Sequence, residues 1–215
     1  LKRYDWHSAH RDIRFSVKGF LFYQNLAFLV VVSSSTKTIK APEVHLAISR
    51  LASVIAEKHQ ATEQIWLLGI ANGGITLAYR LADEINRLNP VKTGNKTKAK
   101  AGTLDISFHR DDLGRHPIPK EFTPTSIPGD VTGSQIILVD DVLFTGRTVK
   151  ASLDELFDHG RPALVELAVL VDRGGRRLPV TCNYAGLILQ AHDKSRVTVS
   201  LSDDPKLDKI TIHSE

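Results

Sequence analysis

The period of the apolar positions changes along the chain, and each change marks an element. In PEVHLAISRLASVIAEKH, residues 42–59, Val44, Ile48, Leu51 and Ile55 fall on one face at helical spacing. Pro42 sits in the first turn, where its missing N–H costs nothing. IWLLGI, residues 65–70, is an unbroken apolar run, as expected of a strand covered on both faces. ANGG follows as a glycine-rich turn, and ITLAYRLADEINRL returns to helical period through Ala78, Leu81, Ile85 and Leu88. TLDISF, residues 103–108, alternates like a strand. QIILV is a second buried strand, and RTVKASLDELFDHG a helix with Val149, Leu153, Leu156 and Phe157 inward and Gly160 as its stop. LVELAVLV, residues 164–171, is a further buried strand, and RVTVSL and DKITIH close the chain. This alternation predicts an α/β fold, an open and mainly parallel sheet flanked by helices.

Two segments interrupt the pattern. NPVKTGNKTKAKAG carries four lysines and no acid, which reads as a solvated turn or, less simply, as a contact for a phosphate backbone. Between Phe108 and Gln135 lie Pro117, Pro119, Pro124 and Pro128 with no clear periodicity. So long a connection inside a compact domain predicts a mobile lid, and its opening HRDD, residues 109–112, gathers charge at a strand end.

Charge narrows the choice of partners. The net charge is +4, but residues 1–40 hold seven Lys/Arg against Asp5 and Asp12, while the remaining residues hold 21 basic and 22 acidic side chains. The body therefore has no overall excess for a polyanion. In the basic N-terminal part, GFLFYQNLAFLVVVSSS mimics the core of a secretory signal, although it is too short for a membrane span of about 20 apolar residues. An appended extension or an extra packed hairpin are its other readings. The expected division is an N-terminal extension, 1–40, and one folded domain, 41–215, with no membrane association. A chain of 215 residues, 42% hydrophobic, supports one such core. The single cysteine, Cys182, excludes an internal disulfide and fits the cytoplasm.

The chemistry concentrates in ILVDDVLFTGRTV, residues 137–149. In an open parallel sheet, ligands bind beyond the carboxyl ends of the strands, and the IILV strand brings Asp140 and Asp141 there. Two carboxylates can accept hydrogen bonds from the vicinal hydroxyls of a sugar or lie near a metal ion carried by the ligand. TGRT then opens a helix: Gly146 permits a tight turn, and the following N–H groups, with the helix dipole behind them and Thr145 and Thr148 alongside, make a phosphate cradle. Together these features describe a site for ribose 5-phosphate. VDD alone would fit a capped helix after an acidic turn.

The same string resembles the phosphoribosyl pyrophosphate (PRPP) motif of type I phosphoribosyltransferases. DHGRPALVELAVLVDRGGRRLPV is similar to the PyrR family of pyrimidine operon regulators and uracil phosphoribosyltransferases. The similarity continues through LLGIANGGITLAYRLADEI, LDISFHRDDL, TSIPGDVTGSQIILVDDVL and the tail SRVTVSLSD, covering about residues 42–213. It implies a type I phosphoribosyltransferase fold with a mobile lid and a small hood. It also implies transfer from PRPP to uracil, giving uridine 5′-monophosphate (UMP) and pyrophosphate, in a homodimer or tetramer. Mg2+ would arrive with PRPP near Asp140 and Asp141, without a protein ligand set of its own. On the matching positions, Asp140, Asp141 and Arg110 would be catalytic, the two aspartates holding the ribose hydroxyls and Arg110, matching the arginine of the family's YRDD, the diphosphate. Phe144, Thr145, Gly146, Arg147 and Thr148 would take the 5-phosphate, with Val142 and Leu143 in the same segment. Asn72 and Gly73 lie in the pyrophosphate turn, and Arg173 and Val197 would seat the nucleotide or base.

The chain departs from the family in two places. The pyrophosphate turn usually reads Gly-Ile-x-Thr-Arg-Gly, and here is Gly69-Ile70-Ala71-Asn72-Gly73-Gly74. Of the positions that contact operon RNA, Arg176 is retained, whereas Thr181 and Leu187 replace basic residues and Ser53 replaces a histidine. RNA affinity depends on such phosphate contacts, so weak binding is expected. The alternative is an attenuator of the pyrimidine operon that senses UMP, binds RNA and turns over little.

Overall fold

In the computed structural model, which describes residues 28–31, 36–88, 98–109, 123–190 and 195–213, the apolar runs become strands and the amphipathic stretches helices. The order is β1 (Phe28–Val31), β2 (Thr36–Lys40), α1 (Ala41–Lys58), β3 (Gln64–Ile70), α2 (Ala71–Leu88), β4 (Lys98–Leu104), β5 (Gln135–Leu143), α3 (Arg147–Asp158), β6 (Leu164–Asp172), β7 (Tyr184–Gln190), β8 (Arg196–Ser200) and β9 (Lys209–His213). Strands β1, β7, β6, β5, β3 and β4 lie side by side in that order, each neighbouring pair parallel. A separate antiparallel sheet orders β2, β9 and β8.

Alternation along the central strands sends successive side chains to opposite faces. Ile65, Leu67, Ile137 and Val139 pack with α1, α2 and the small sheet. Trp66, Leu68, Ile70, Ile136 and Leu138 pack with α3 and with Val131. Both faces are covered, which is why these strands read as unbroken apolar runs. The small sheet joins the first of these cores through Ile39, Ile210 and Ile212, with Val197, Val199 and Leu201 against it. Asp208 ties it to the helices: its buried carboxylate accepts hydrogen bonds from Arg80 on α2 and Ser202 N–H, and lies 2.8 Å from His45 Nε2 on α1.

The topology places the site. From β3 the chain passes through α2 to β4 on one side, and from β5, on the other side of β3, through α3 to β6. Neighbouring strands whose connections diverge leave a crevice at their carboxyl ends, where open α/β sheets bind ligands. At β3 and β5 that crevice receives ANGG and Asp140–Asp141.

Several elements differ from the sequence reading. β4 spans Lys98–Leu104, not 103–108: it is an edge strand of the six-stranded sheet, paired with β3 and bridged only at Thr103 to Ser126, and the alternation of Lys98 and Lys100 with small residues disguised it as a loop. Phe108, at the end of the segment read as a strand, lies beyond β4 and is 73% exposed. α2 starts at Ala71, so the glycines form its first turn. Phe157 on α3 is 47% exposed, and Leu88 at the end of α2 faces solvent too. β7 lacks a periodicity of its own, because it is recognisable only as the parallel neighbour of β6. Thr36–Lys40, read as part of the extension, is β2 and pairs with β9 along its whole length. Of the apolar N-terminal run only Phe28–Val31 is described, as an edge strand beside β7. Lys92, Lys96 and the lid segment 110–122 lie outside the described residues. Among the described residues, no helix is long and apolar enough to cross a membrane.

Candidate active site

β5 continues through the acid pair, so Asp140 and Asp141 lie inside the strand. The backbone alternation sends them to opposite sides. Asp140 is 5% exposed and its Oδ1 accepts the N–H of Asp141 at 2.9 Å. Burial, with the neighbouring charge of Asp141, pushes the Asp140 carboxyl well above the usual range, and burial raises Asp141 as well. Unassisted, the pair resists carrying two charges. Hydroxyl donors of a sugar, or a cation delivered with the ligand, would relieve both.

The glycine turn is built against these acids. A β-carbon on Gly73 would sit 2.2 Å from Asp141 Oδ2, and one on Gly74 would sit 2.3 Å from the Val139 carbonyl oxygen. Gly69 closes the corner in the same way, its β-carbon falling 2.4 Å from Ile75 Cα. Glycines at these positions let α2 start in direct contact with the end of β5, so the turn at β3 and the acids of β5 form one surface. Ala71 and Asn72 belong to α2, but the Asn72 side chain lies outside the described residues, as does Arg110.

Beyond the acids, Leu143 is buried in the core and Val142 packs half-buried on the other face. Gly146 takes φ +90° at the N-cap of α3, which has no side-chain cap and no acidic residue in its first turn. Thr145 Oγ1 lies 3.4 Å from the Arg147 N–H. An uncapped helix start with this left-handed glycine is suited to an anion.

The loop after β6 walls this turn. The Thr145 carbonyl accepts the N–H groups of Arg177 and Leu178 at 3.0 and 3.1 Å, and a β-carbon on Gly146 would meet Val180 at 3.3 Å. The Arg173 guanidinium stacks on the Phe144 ring, 3.6 Å from its centre, and Gly175 leaves room for that ring. Arg176 is spent internally: it donates to the carbonyls of Leu143, Phe144, Gly174 and Val180 and pairs with Asp172 at 2.7 Å. These bonds hold the loop after β6. Leu178, Val180 and Gly175 carry no chemical signal in the sequence; only the fold reveals them as walls. Val197 on β8 packs part-buried against the main core. Cys182 lies against Asp172, and burial first, then that carboxylate, push its thiol up to about 12.

Fold and site together define a phosphoribosyltransferase-type α/β protein. The phosphoribosyl transferase domain family matches residues 35–203. The Bifunctional protein PyrR of Streptomyces coelicolor is 41% identical over 175 residues, 81% of this chain and 87% of that one. That of Brevibacillus brevis is 40% identical, over 79% of this chain and 91% of that one. The chain belongs to the phosphoribosyltransferase domain family and, within it, to the PyrR family. Among solved structures, the hypoxanthine phosphoribosyltransferase of Trypanosoma cruzi matches with a TM-score of 0.59 at 18% identity, over 82% of this chain and 95% of that one. At that identity the likeness is one of fold.

Proposed function

We propose that this protein transfers the 5-phosphoribosyl group of PRPP to uracil, giving UMP and pyrophosphate. The observation that carries this reading is the contact between Gly73 and Asp141, which joins the turn after β3, the acid pair and, three residues on, the phosphate turn into one continuous surface. Its length and chemistry suit a phosphate, a sugar with adjacent hydroxyls and a diphosphate in series.

In this mechanism the bond from the sugar C1 to the diphosphate oxygen breaks as uracil nitrogen bonds to C1, through an oxocarbenium-like sugar. The chain works mainly by positioning and charge. The first turn of α3 fixes the 5-phosphate. Asp140 and Asp141 hold the ribose hydroxyls and supply negative charge beside the developing cation. The α2 turn and Arg110 receive the leaving diphosphate. Among the described residues, no group of three or more His, Cys, Asp or Glu side chains could hold a metal ion. Mg2+ would arrive with PRPP beside Asp140 and Asp141 and would supply charge neutralisation at the diphosphate.

A cytoplasmic setting belongs to this proposal and rests on the single-cysteine composition. Regulation through operon RNA is the second reading. It has less support, since Arg176 is tied into its own loop, Leu187 is in the core and the Ser53 hydroxyl donates to its own helix at Ser49. Pyrophosphate release should be followed with PRPP, Mg2+ and each nucleobase in turn. Release with uracil is expected; release with a purine alone would overturn the base assignment, and none with any base would overturn the transfer. A filter-binding titration of a pyrimidine-operon leader RNA with and without UMP decides the second reading.

A further inference from the structure

Three successive carbonyls leading into the phosphate turn are taken by the loop after β6. Leu143 O accepts the Arg173 N–H at 3.1 Å and Arg176 Nη1 at 3.2 Å. Phe144 O accepts the same Nη1 at 3.1 Å, and Thr145 O accepts the N–H groups of Arg177 and Leu178 at 3.0 and 3.1 Å. The next carbonyl, of Gly146, already belongs to α3 and accepts the Lys150 N–H at 3.0 Å. One guanidinium organises the loop side of these contacts. Arg176 Nη1 also donates to Gly174 O at 3.2 Å and its Nε to Val180 O at 3.1 Å. Its Nη2 lies 2.7 Å from Asp172 Oδ1, which also accepts the Gly174 N–H at 2.9 Å.

Among the described residues no peptide bond is cis, and a trans peptide holds its C=O and N–H on opposite sides. With the carbonyls of Leu143, Phe144 and Thr145 drawn to the loop, the N–H groups of Phe144, Thr145 and Gly146 are turned away from it. Two adjacent carbonyls converging on one nitrogen break the alternation of a strand, and Gly146 at φ +90° lets the chain turn from there into α3. Consecutive N–H groups turned to one side at a helix start form an anion nest. We infer that Arg176 is a positioning residue for the 5-phosphate: it binds the back of the turn and so fixes the peptide planes whose N–H groups receive the phosphate on the front. The inference rests on the PRPP reading above.

What Arg176 supplies is geometry more than charge, because its cation is already paired with Asp172. A planar fork with five fixed donors can reach two carbonyls of the turn, two of the loop and a carboxylate together, and a lysine ammonium on a flexible stem cannot. The side chain also acts at one remove. By closing the loop from Gly174 to Val180 around itself, it presents the N–H groups of Arg177 and Leu178 to the Thr145 carbonyl. Arg176, at a position that the resemblance connects with RNA, thus has a task at the sugar phosphate that needs no RNA.

The test titrates ribose 5-phosphate and, separately, Mg2+-pyrophosphate into the wild type, Arg176→Lys and Arg176→Gln, followed by calorimetry. The Kd for ribose 5-phosphate is expected to rise about tenfold in both variants and that for Mg2+-pyrophosphate less than about twofold, since a turn that is no longer pre-organised must be ordered by its ligand. The KM for PRPP is expected to rise with the first of these, with kcat changing less. Unchanged affinity for ribose 5-phosphate overturns the inference. So does recovery in Arg176→Lys, which would make charge the cause, or an equal loss for both ligands, which would mean general damage. In the ligand-free proteins, NMR is expected to show shifted carbonyl carbons at Leu143 and Phe144 and faster backbone motion at Phe144, Thr145 and Gly146 in both variants, while the rest of β5 is unchanged. An undisturbed turn overturns the inference also. If Arg176→Gln does not fold, Arg176→Lys carries every comparison. Absence of ribose 5-phosphate binding in the wild type would defeat the function proposed above, and the NMR comparison would still decide whether Arg176 orders the turn.

Discussion

Burial and the charge of Asp141 both disfavour the ionised Asp140, so under the proposed function this side chain gives up stability in order to hold a ribose hydroxyl. Its folded carboxyl is raised, hence its protonated form is favoured by the fold. Stability on its account is greatest below the unfolded value of 3.8 and declines as pH rises above it. Asp140→Asn can keep the bond from the Asp141 N–H and removes the buried charge. It is expected to raise the Tm at neutral pH by about 2–5 °C, a gain that vanishes near pH 3, while lowering transfer at least about a hundredfold. Calorimetric melts across pH and the pyrophosphate assay check the two halves. Asp141→Ala is expected to collapse transfer with the fold intact; near-normal turnover in that variant contradicts its role.

At the scale of elements, adjacent glycines of α2 separate chemistry from packing. A β-carbon at Gly73 meets the end of the Asp141 side chain, which can swing away, whereas one at Gly74 meets the backbone of β5, which cannot. Gly73→Ala is expected to weaken PRPP binding with little loss of stability. Gly74→Ala is expected to destabilise the protein by about 2 kcal/mol or more, read from urea unfolding. These contacts also show where sequence reasoning stops. α1, α3 and the buried strands β3, β5 and β6 were legible because one period governs each of them. β4 was not, because an exposed edge erases the apolar run, and α2 looked shorter because its glycines mimic a turn. The acids and the threonine-glycine turn were legible as chemistry. The stacking of Arg173 on Phe144, the internal engagement of Arg176 and the bond from Thr125 to Glu155 arise from residues brought together across the chain, and no local spacing records them.

Across the whole molecule, Glu166 fastens the sheet at the end away from the acid pair. Its buried carboxylate on β6 takes hydrogen bonds from Lys58 and Tyr184 and lies 2.8 Å from His59 Nε2, so it joins the end of α1 to β6 and β7. Burial alone would raise this group, but the hydrogen bonds from His59, Lys58 and Tyr184 outweigh it and lower the carboxyl from 4.5 to about 2. A lowered value means stability present above pH 4.5 and lost as pH falls toward 2, about 3 kcal/mol at most. Urea melts from pH 7 to pH 2 are expected to show this acid limb in the wild type and a flatter one in Glu166→Gln, with the kcat of the variant unchanged at neutral pH. The most direct test of the whole is calorimetric titration of Mg2+-PRPP into the wild type and Asp141→Ala. One saturable binding event per chain in the wild type, lost in the variant, is expected. No binding in the wild type, or equal binding in both, would contradict the claim that the acid pair and the phosphate turn together hold a phosphorylated pentose.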